Sequence, residues 1–121
     1  MTENLNESLK ERTKRFATRI IKLFAALPRT TEAQVIGKQV LRSGTSVGAQ
    51  YRECQFAKSE ADFISKIEGS LQELEETSYW LELLDEMQLF NAEKLRPIRE
   101  ETKELTAIFV TIAKKVKAKK V

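Results

Sequence analysis

Apolar residues recur along the chain at steps of three, four and seven, and four stretches carry the pattern. The first has Leu9, Phe16, Ile20, Leu23 and Leu27 on one side. The second has Ile36, Val40, Val47, Tyr51 and Cys54, and the third Phe63, Ile67, Leu71, Leu74, Leu81 and Leu84. The fourth has Leu95, Ile98, Leu105, Phe109, Ile112 and Val116. This spacing is that of amphipathic helices. It predicts helices over about 6–27, 31–56, 59–87 and 92–117 in one domain spanning 1–121. Each is roughly 30–45 Å long at 1.5 Å per residue. Four helices of similar length on short links predict an all-α, antiparallel, up-down-up-down four-helix bundle.

The breaks between the stretches are few. Pro28 ends the first; Thr31 with Gln34 three residues on reads as a capping box. Ser59 with Asp62 opens the third helix, and Asn91 with Glu93 in the first turn opens the fourth. Gly and Pro together number only six in 121 residues, against 32% charged residues. That balance argues for long helices and against an all-β sandwich or a disordered tract. The chain has no His, which removes His-based catalysis, carboxylate–His metal sites and di-iron centres of the Glu-x-x-His kind. Its single Cys54 forms no internal disulfide and suits a reducing compartment. The N-terminus is polar and acidic, unlike a secretory signal, and the longest apolar run, residues 107–113, is too short for a membrane helix. A cytoplasmic protein without a membrane partner, cofactor or metal is the expectation.

Charge divides unevenly. Residues 58–88 carry two basic and nine acidic groups, whereas the segments 1–28, 29–57 and 89–121 are net +3, +2 and +5. One reading is complementarity inside the bundle, with an acidic third helix among basic neighbours. The run Arg42-Ser43-Gly44-Thr45-Ser46-Val47-Gly48-Ala49-Gln50 is unusual for a helix interior, where each Gly costs about 1 kcal/mol relative to Ala. Small residues on one face allow a tight helix crossing; a notch for a ligand is the other reading. Arg42, Ser46, Gln50 and Glu53 form a polar flank that Lys66, Glu73 and Glu76 of the third helix can face. A turn near Lys58 sets Arg42 level with Glu73 and Glu53 within a turn of Lys66.

Three further features remain. Tyr79, Trp80, Leu83 and Met87 point away from Phe63, Leu74 and Leu81 on a helical wheel, and a second apolar face of this composition reads as a subunit interface. Arg12, Arg15, Arg19 and Lys22 form one basic stripe on the first helix. A basic tail over 114–121 adds Lys114, Lys115, Lys117, Lys119 and Lys120. The basic stripe and tail are either a solvated surface or a phosphate-contacting one.

The segment Leu41-Arg42-Ser43-Gly44-Thr45-Ser46-Val47-Gly48-Ala49-Gln50-Tyr51-Arg52-Glu53 resembles the second-helix signature of the 23S rRNA intervening-sequence four-helix-bundle proteins. Phe63-Ile64-Ser65-Lys66-Ile67 and Glu73-Leu74-Glu75-Glu76-Thr77-Ser78-Tyr79-Trp80-Leu81-Glu82-Leu83-Leu84 resemble their third-helix signature. The likeness extends over about residues 8–117; family members often carry Asn where this chain has Gln50. The resemblance implies a left-handed bundle that assembles as a ring, typically a homopentamer, without established enzymatic activity. Some genes of the family lie inside insertions in bacterial 23S rRNA genes. A related branch, the accessory variability determinants of diversity-generating retroelements, forms basic pentameric barrels that engage reverse transcriptase and nucleic acid.

Together these features give two expectations. The first is a non-enzymatic, ring-forming bundle that binds RNA, DNA or a nucleoprotein through Arg12, Arg15, Arg19, Lys22, Lys114, Lys115 and Lys117. The second is a structural or protein-interaction scaffold with no nucleic-acid role. Neither requires a small-molecule substrate.

Overall fold

A computed structural model describes residues 7–119; Asn6 at the start of the first expected helix, and Lys120 and Val121 of the basic tail, lie outside the described residues. The chain is a four-helix bundle: α1 (Leu9–Ala26), α2 (Thr31–Cys54), α3 (Glu60–Glu86) and α4 (Ala92–Ala118). Side-chain oxygens open every helix. Ser8 accepts from the Glu11 N–H, Thr30 from Ala33, Ser59 from Asp62 and Asn91 from Lys94. Each satisfies one of the donors a helix start leaves free. The cap of α2 is therefore Thr30, not Thr31. Gln34 does not close a box, because its side-chain amide reaches back to the Pro28 carbonyl at 2.8 Å.

Pro97 lies inside α4 and does not end it. It sits in the second turn and is exposed, so the carbonyl that loses its partner faces water. α3 ends with Gln88 at φ 54°, the left-handed position that glycine usually fills. Leu89 N–H then reaches the Leu84 carbonyl at 2.9 Å and Gln88 N–H the Asp85 carbonyl at 3.0 Å, which completes a Schellman motif.

Each helix packs on the next in sequence, and α1 meets α4 along a sparser seam. Contacts across each hairpin step down one helix as they step up the other: Gly44 meets Ile20 and Gly48 meets Thr13 between α2 and α1. Ser43 meets Thr77 and Val47 meets Ser70 between α2 and α3. Arg99 meets Asp85 and Lys117 meets Glu68 between α4 and α3. Consecutive helices are thus antiparallel.

The core holds Phe16, Ile20, Val40, Val47, Ile67, Leu74, Leu81, Leu84, Leu95, Leu105 and Phe109, all nearly inaccessible. Tyr51 meets Phe109 edge-on, with ring centroids 5.6 Å apart. Five buried hydroxyl residues share this interior: Thr13, Ser43, Ser70, Thr77 and Thr102. Each bonds a carbonyl of its own helix or of a neighbour, as burial of a hydroxyl demands. Cys54 is a buried free thiol, and burial pushes its pKa up, which disfavours the reactive thiolate.

Candidate nucleic-acid interface

The basic stripe on α1 is only partly available to a ligand. Arg12 lies across the α1–α4 seam with its Nε 2.7 Å from Glu101 Oε2 and its Nη2 2.8 Å from Glu101 Oε1. The same Nη2 reaches Glu104 at 3.1 Å. The Arg12 and Glu101 side chains are 15% and 11% exposed, so this bidentate pair is a clasp within the bundle. Hydrogen bonding to Glu101, aided by Glu104, raises the Arg12 pKa further against the opposing effect of burial. Arg15 is likewise engaged, with Nη2 2.6 Å from Glu7 Oε1. Its hydrogen bond draws the Glu7 carboxyl below the usual carboxylate range. Arg19 is half-buried and Lys22 exposed, and neither pairs with a described acidic side chain. On α4, Lys117 is 2.5 Å from Glu68, whereas Lys114 and Lys115 are exposed.

A second set of cations, with no described acidic partner, lies elsewhere. Lys10 and Lys14 lie in the first turns of α1, Arg52 in the last turn of α2 and Lys58 in the turn after it. Lys114, Lys115 and Lys119 lie at the end of α4. In an antiparallel bundle these positions share one end. Lys14 and Arg52 flank a groove of about 340 Å3 between α1 and α2, floored by Ala17, Thr45, Gly48 and Ala49. Lys58 and Lys119 flank a second cavity of about 510 Å3 where α2, α3 and α4 meet. Phe56, expected inside the second helix, stands beyond its end at 83% exposure. Because α2 stops at Cys54, the turn through Gln55–Ser59 carries the ring outward. The only sequence signal for this was the Lys58-Ser59 break.

The polar flank between α2 and α3 is an intramolecular lattice. Arg42 Nη2 is 2.5 Å from Glu76 and Nη1 is 3.4 Å from Glu73. Lys66 is 3.0 Å from Glu53. Gln50 donates to Glu73 at 3.4 Å, and its other amide atom lies over Gly69, where a side chain would collide with it. Ser46 turns back to the Arg42 carbonyl at 2.6 Å and not towards α3. The small residues of α2 serve close packing on its other side: Gly37, Gly44 and Gly48 face Leu27, Ile20 and Thr13 of the α1 hairpin.

The second apolar face of α3 is narrower than the helical wheel implied. Tyr79 is 54% and Met87 63% exposed, but Leu83 is half-buried. Trp80 is half-buried and packs against the core, with its ring 5.0 Å from that of Tyr79. α3 contacts both α2 and α4, so its buried arc is wider than one stripe and takes in the indole. Among the described residues, Trp80 Nε1 and Glu73 Oε1 are the buried side-chain polar atoms without a hydrogen-bond partner. No group of three or more His, Cys, Asp or Glu among the described residues is arranged to hold a metal. No described helix is long and apolar enough to cross a membrane.

Comparison with known proteins gives a family and a solved structure to which the chain is similar. The family described as 23S rRNA-intervening sequence protein matches residues 6–111. A crystal structure of a protein of unknown function from the S23 ribosomal protein family of Bacteroides thetaiotaomicron VPI-5482 superposes with a TM-score of 0.83 at 39% identity. The match covers 88% of this chain and 99% of that one. No curated protein sequence matches.

Proposed function

The chain belongs to the 23S rRNA-intervening sequence protein family, and from that premise we propose a non-enzymatic, ring-forming bundle that binds nucleic acid or a nucleoprotein through basic surfaces. The observation that carries the reading is the gathering at one end of seven cations with no described acidic partner: Lys10, Lys14, Arg52, Lys58, Lys114, Lys115 and Lys119. Cations of this kind release counterions from a phosphate backbone on contact and give salt-sensitive, sequence-tolerant affinity. The contact surface proposed here moves off Arg12, Arg15 and Lys117, whose charge is already used inside the chain. Lys114 and Lys115 stay within it, and Arg19 and Lys22, in the second half of α1, extend it along the side of the bundle away from that end.

Assembly is the second half of the proposal. Tyr79 and Met87 leave an apolar patch on the outer face of α3. A repeated contact that is not self-complementary closes into a ring when the rotation allows, and a homopentamer is the ring proposed. The ring multiplies one modest basic surface by the subunit number, and linked weak contacts gain through effective concentration. The reading places the protein in the cytoplasm and gives it no small-molecule substrate or cofactor.

Gel shifts with RNA and DNA across a salt series test the binding. The expected result is an affinity that falls linearly with salt on logarithmic axes. A scaffold without a nucleic-acid role is the competing reading, favoured by the internal pairing of Arg12, Arg15 and Lys117, and it gives no shift even at low salt. Sedimentation velocity at micromolar concentration tests the ring. Tyr79→Glu combined with Met87→Glu is expected to dissociate it, and a monomeric wild type refutes it. Trp80→Glu is unsuitable, since the half-buried indole packs against the core and a carboxylate there would cost stability as well as any subunit contact.

A further inference from the structure

The turn between α2 and α3 combines three features that charge alone does not explain. Phe56 is 83% exposed, yet its backbone is fixed: its N–H bonds the Glu53 carbonyl at 3.0 Å, and the next N–H, that of Ala57, bonds Cys54 at 3.2 Å. The ring belongs neither to the core nor to the half-buried residues packed on it. Beside it, Gln55 and Ala57 border the cavity of about 510 Å3, whose floor is Cys54, Phe63 and Val116. Lys58 and Lys119 stand at its rim with no described acidic side chain paired to their ammonium groups; Glu60 is the acid in the lining, and Asp62 accepts from the Lys58 backbone N–H at 3.1 Å.

We propose that this turn is a stacking platform for an unpaired base of single-stranded nucleic acid, with Phe56 as the platform and Lys58 and Lys119 as the phosphate contacts. The inference rests on the nucleic-acid reading above and adds strand type to it. An aromatic face accepts any base, because every base has a π-face, and flanking cations hold the backbone on either side. A base inside a duplex has both faces covered by its neighbours, so a ring fixed at a bundle end cannot stack on it. A second copy of the chain fits this end less well. Phe56 is at the opposite end of α3 from Met87, so the two exposed apolar sites are not one face. A self-complementary pairing of two such ends would also bring like charges together.

The test compares wild type, Phe56→Ala and Phe56→Trp on short oligoadenylate strands of RNA and of DNA and on a duplex of the same length, with salt series for each. Wild type is expected to bind the single strands more tightly than the duplex. Phe56→Ala lowers single-strand affinity roughly tenfold or more and leaves duplex affinity unchanged, since one stack is lost and no charge. Phe56→Trp keeps single-strand affinity, and its fluorescence is quenched on binding. The RNA and DNA arms identify which strand carries the ligand chemistry. If wild type binds with the expected salt dependence but Phe56→Ala binds single strands equally well, the stack is overturned and the nucleic-acid reading stands. If wild type binds no probe at low salt, that reading fails and the stack fails with it. If Phe56→Ala changes the oligomeric state, Phe56 is a subunit contact and the proposal is overturned.

Discussion

Gly44 offers the sharpest test of how α1 and α2 pack. A Cβ added there would lie 2.7 Å from Ile20 Cγ1, 2.9 Å from Cγ2 and 3.1 Å from Cδ1. Cγ1 and Cγ2 branch directly from the Ile20 Cβ, and Ile20 is fully buried, so the clash cannot be relieved by swinging a side-chain tip. Relief requires an off-rotamer Ile20 or a shift of one helix, which costs about 1–3 kcal/mol. Against this, Gly→Ala in a helix interior gains about 1 kcal/mol of propensity. Gly44→Ala should therefore lose roughly 0–2 kcal/mol, and Gly44→Leu, with the same gain and far more volume, should lose more. Gly37 is the control. Its added Cβ would meet Leu27 Cδ1 at 2.5 Å, but that atom is the far end of a flexible side chain. Leu27 is buried and two Phe24 ring carbons lie 3.1 and 3.3 Å away, so these side-chain ends must shift, and Gly37→Ala should cost less than Gly44→Ala without exceeding wild type by much. Urea titrations followed by far-UV circular dichroism read these differences. Each kcal/mol is also about 3–6 °C in Tm for a chain of this size. A Gly44→Ala variant as stable as Gly37→Ala would refute the argument that Ile20 is rigid and that Gly44 exists for close approach.

Two other changes follow from the same coordinates. Gln88→Gly should raise stability by about 0.5–1 kcal/mol, measured by urea midpoint, because glycine adopts the left-handed conformation of Gln88 without steric cost. A double-mutant cycle on Arg12→Ala and Glu101→Ala should give a coupling of about 1–3 kcal/mol, since the pair is bidentate and largely shielded from solvent. A coupling near zero would mean that the clasp does not hold the α1–α4 seam.

The four helices were legible because their apolar period is strong and their breaks are few. The ends were less so. Thr31 with Gln34 fits the capping-box spacing better than Thr30 with Ala33, yet Gln34 is drawn to the Pro28 carbonyl and Thr30 takes the cap. The α2–α3 flank could be read because opposite charges faced each other across one predictable turn, and Arg42 reaches both Glu73 and Glu76. The state of Arg12 could not be read, because its partner Glu101 is on α4, on the far side of the sequence. Trp80 misled because a wheel shows direction from the axis and not reach; a large ring on the flank of a helix with two neighbours folds back onto the core. Phe56 was hidden by an error of two residues in the end of α2.

The register of α2 against α3 is set by buried hydroxyls more than by the charged flank. Thr77 Oγ1 lies 2.8 Å from Ser43 Oγ, which itself donates to the Gln39 carbonyl at 2.9 Å, and both residues are inaccessible to solvent. One turn along α2 and two along α3, Ser70 donates to the Val47 carbonyl on the facing helix at 3.1 Å. A slip of register would leave the Ser70 hydroxyl buried without a partner, at about 1–3 kcal/mol, and would break the Thr77–Ser43 contact, although those two hydroxyls keep carbonyls of their own helices. The Arg42 side chain is half-exposed, and pairs of that kind are worth about 0–1 kcal/mol and are screened by salt. The two contributions separate cleanly in salt. Thr77→Val keeps the side-chain shape and removes the hydroxyl, so it should cost about 1 kcal/mol at any ionic strength. Arg42→Ala should cost no more than about 1 kcal/mol at low salt and approach zero near 1 M, where the screening length is about 3 Å. Urea midpoints for both variants in low and high salt decide the matter. If Arg42→Ala remains the more damaging change in high salt, the hydroxyls do not fix the register and the charged flank does.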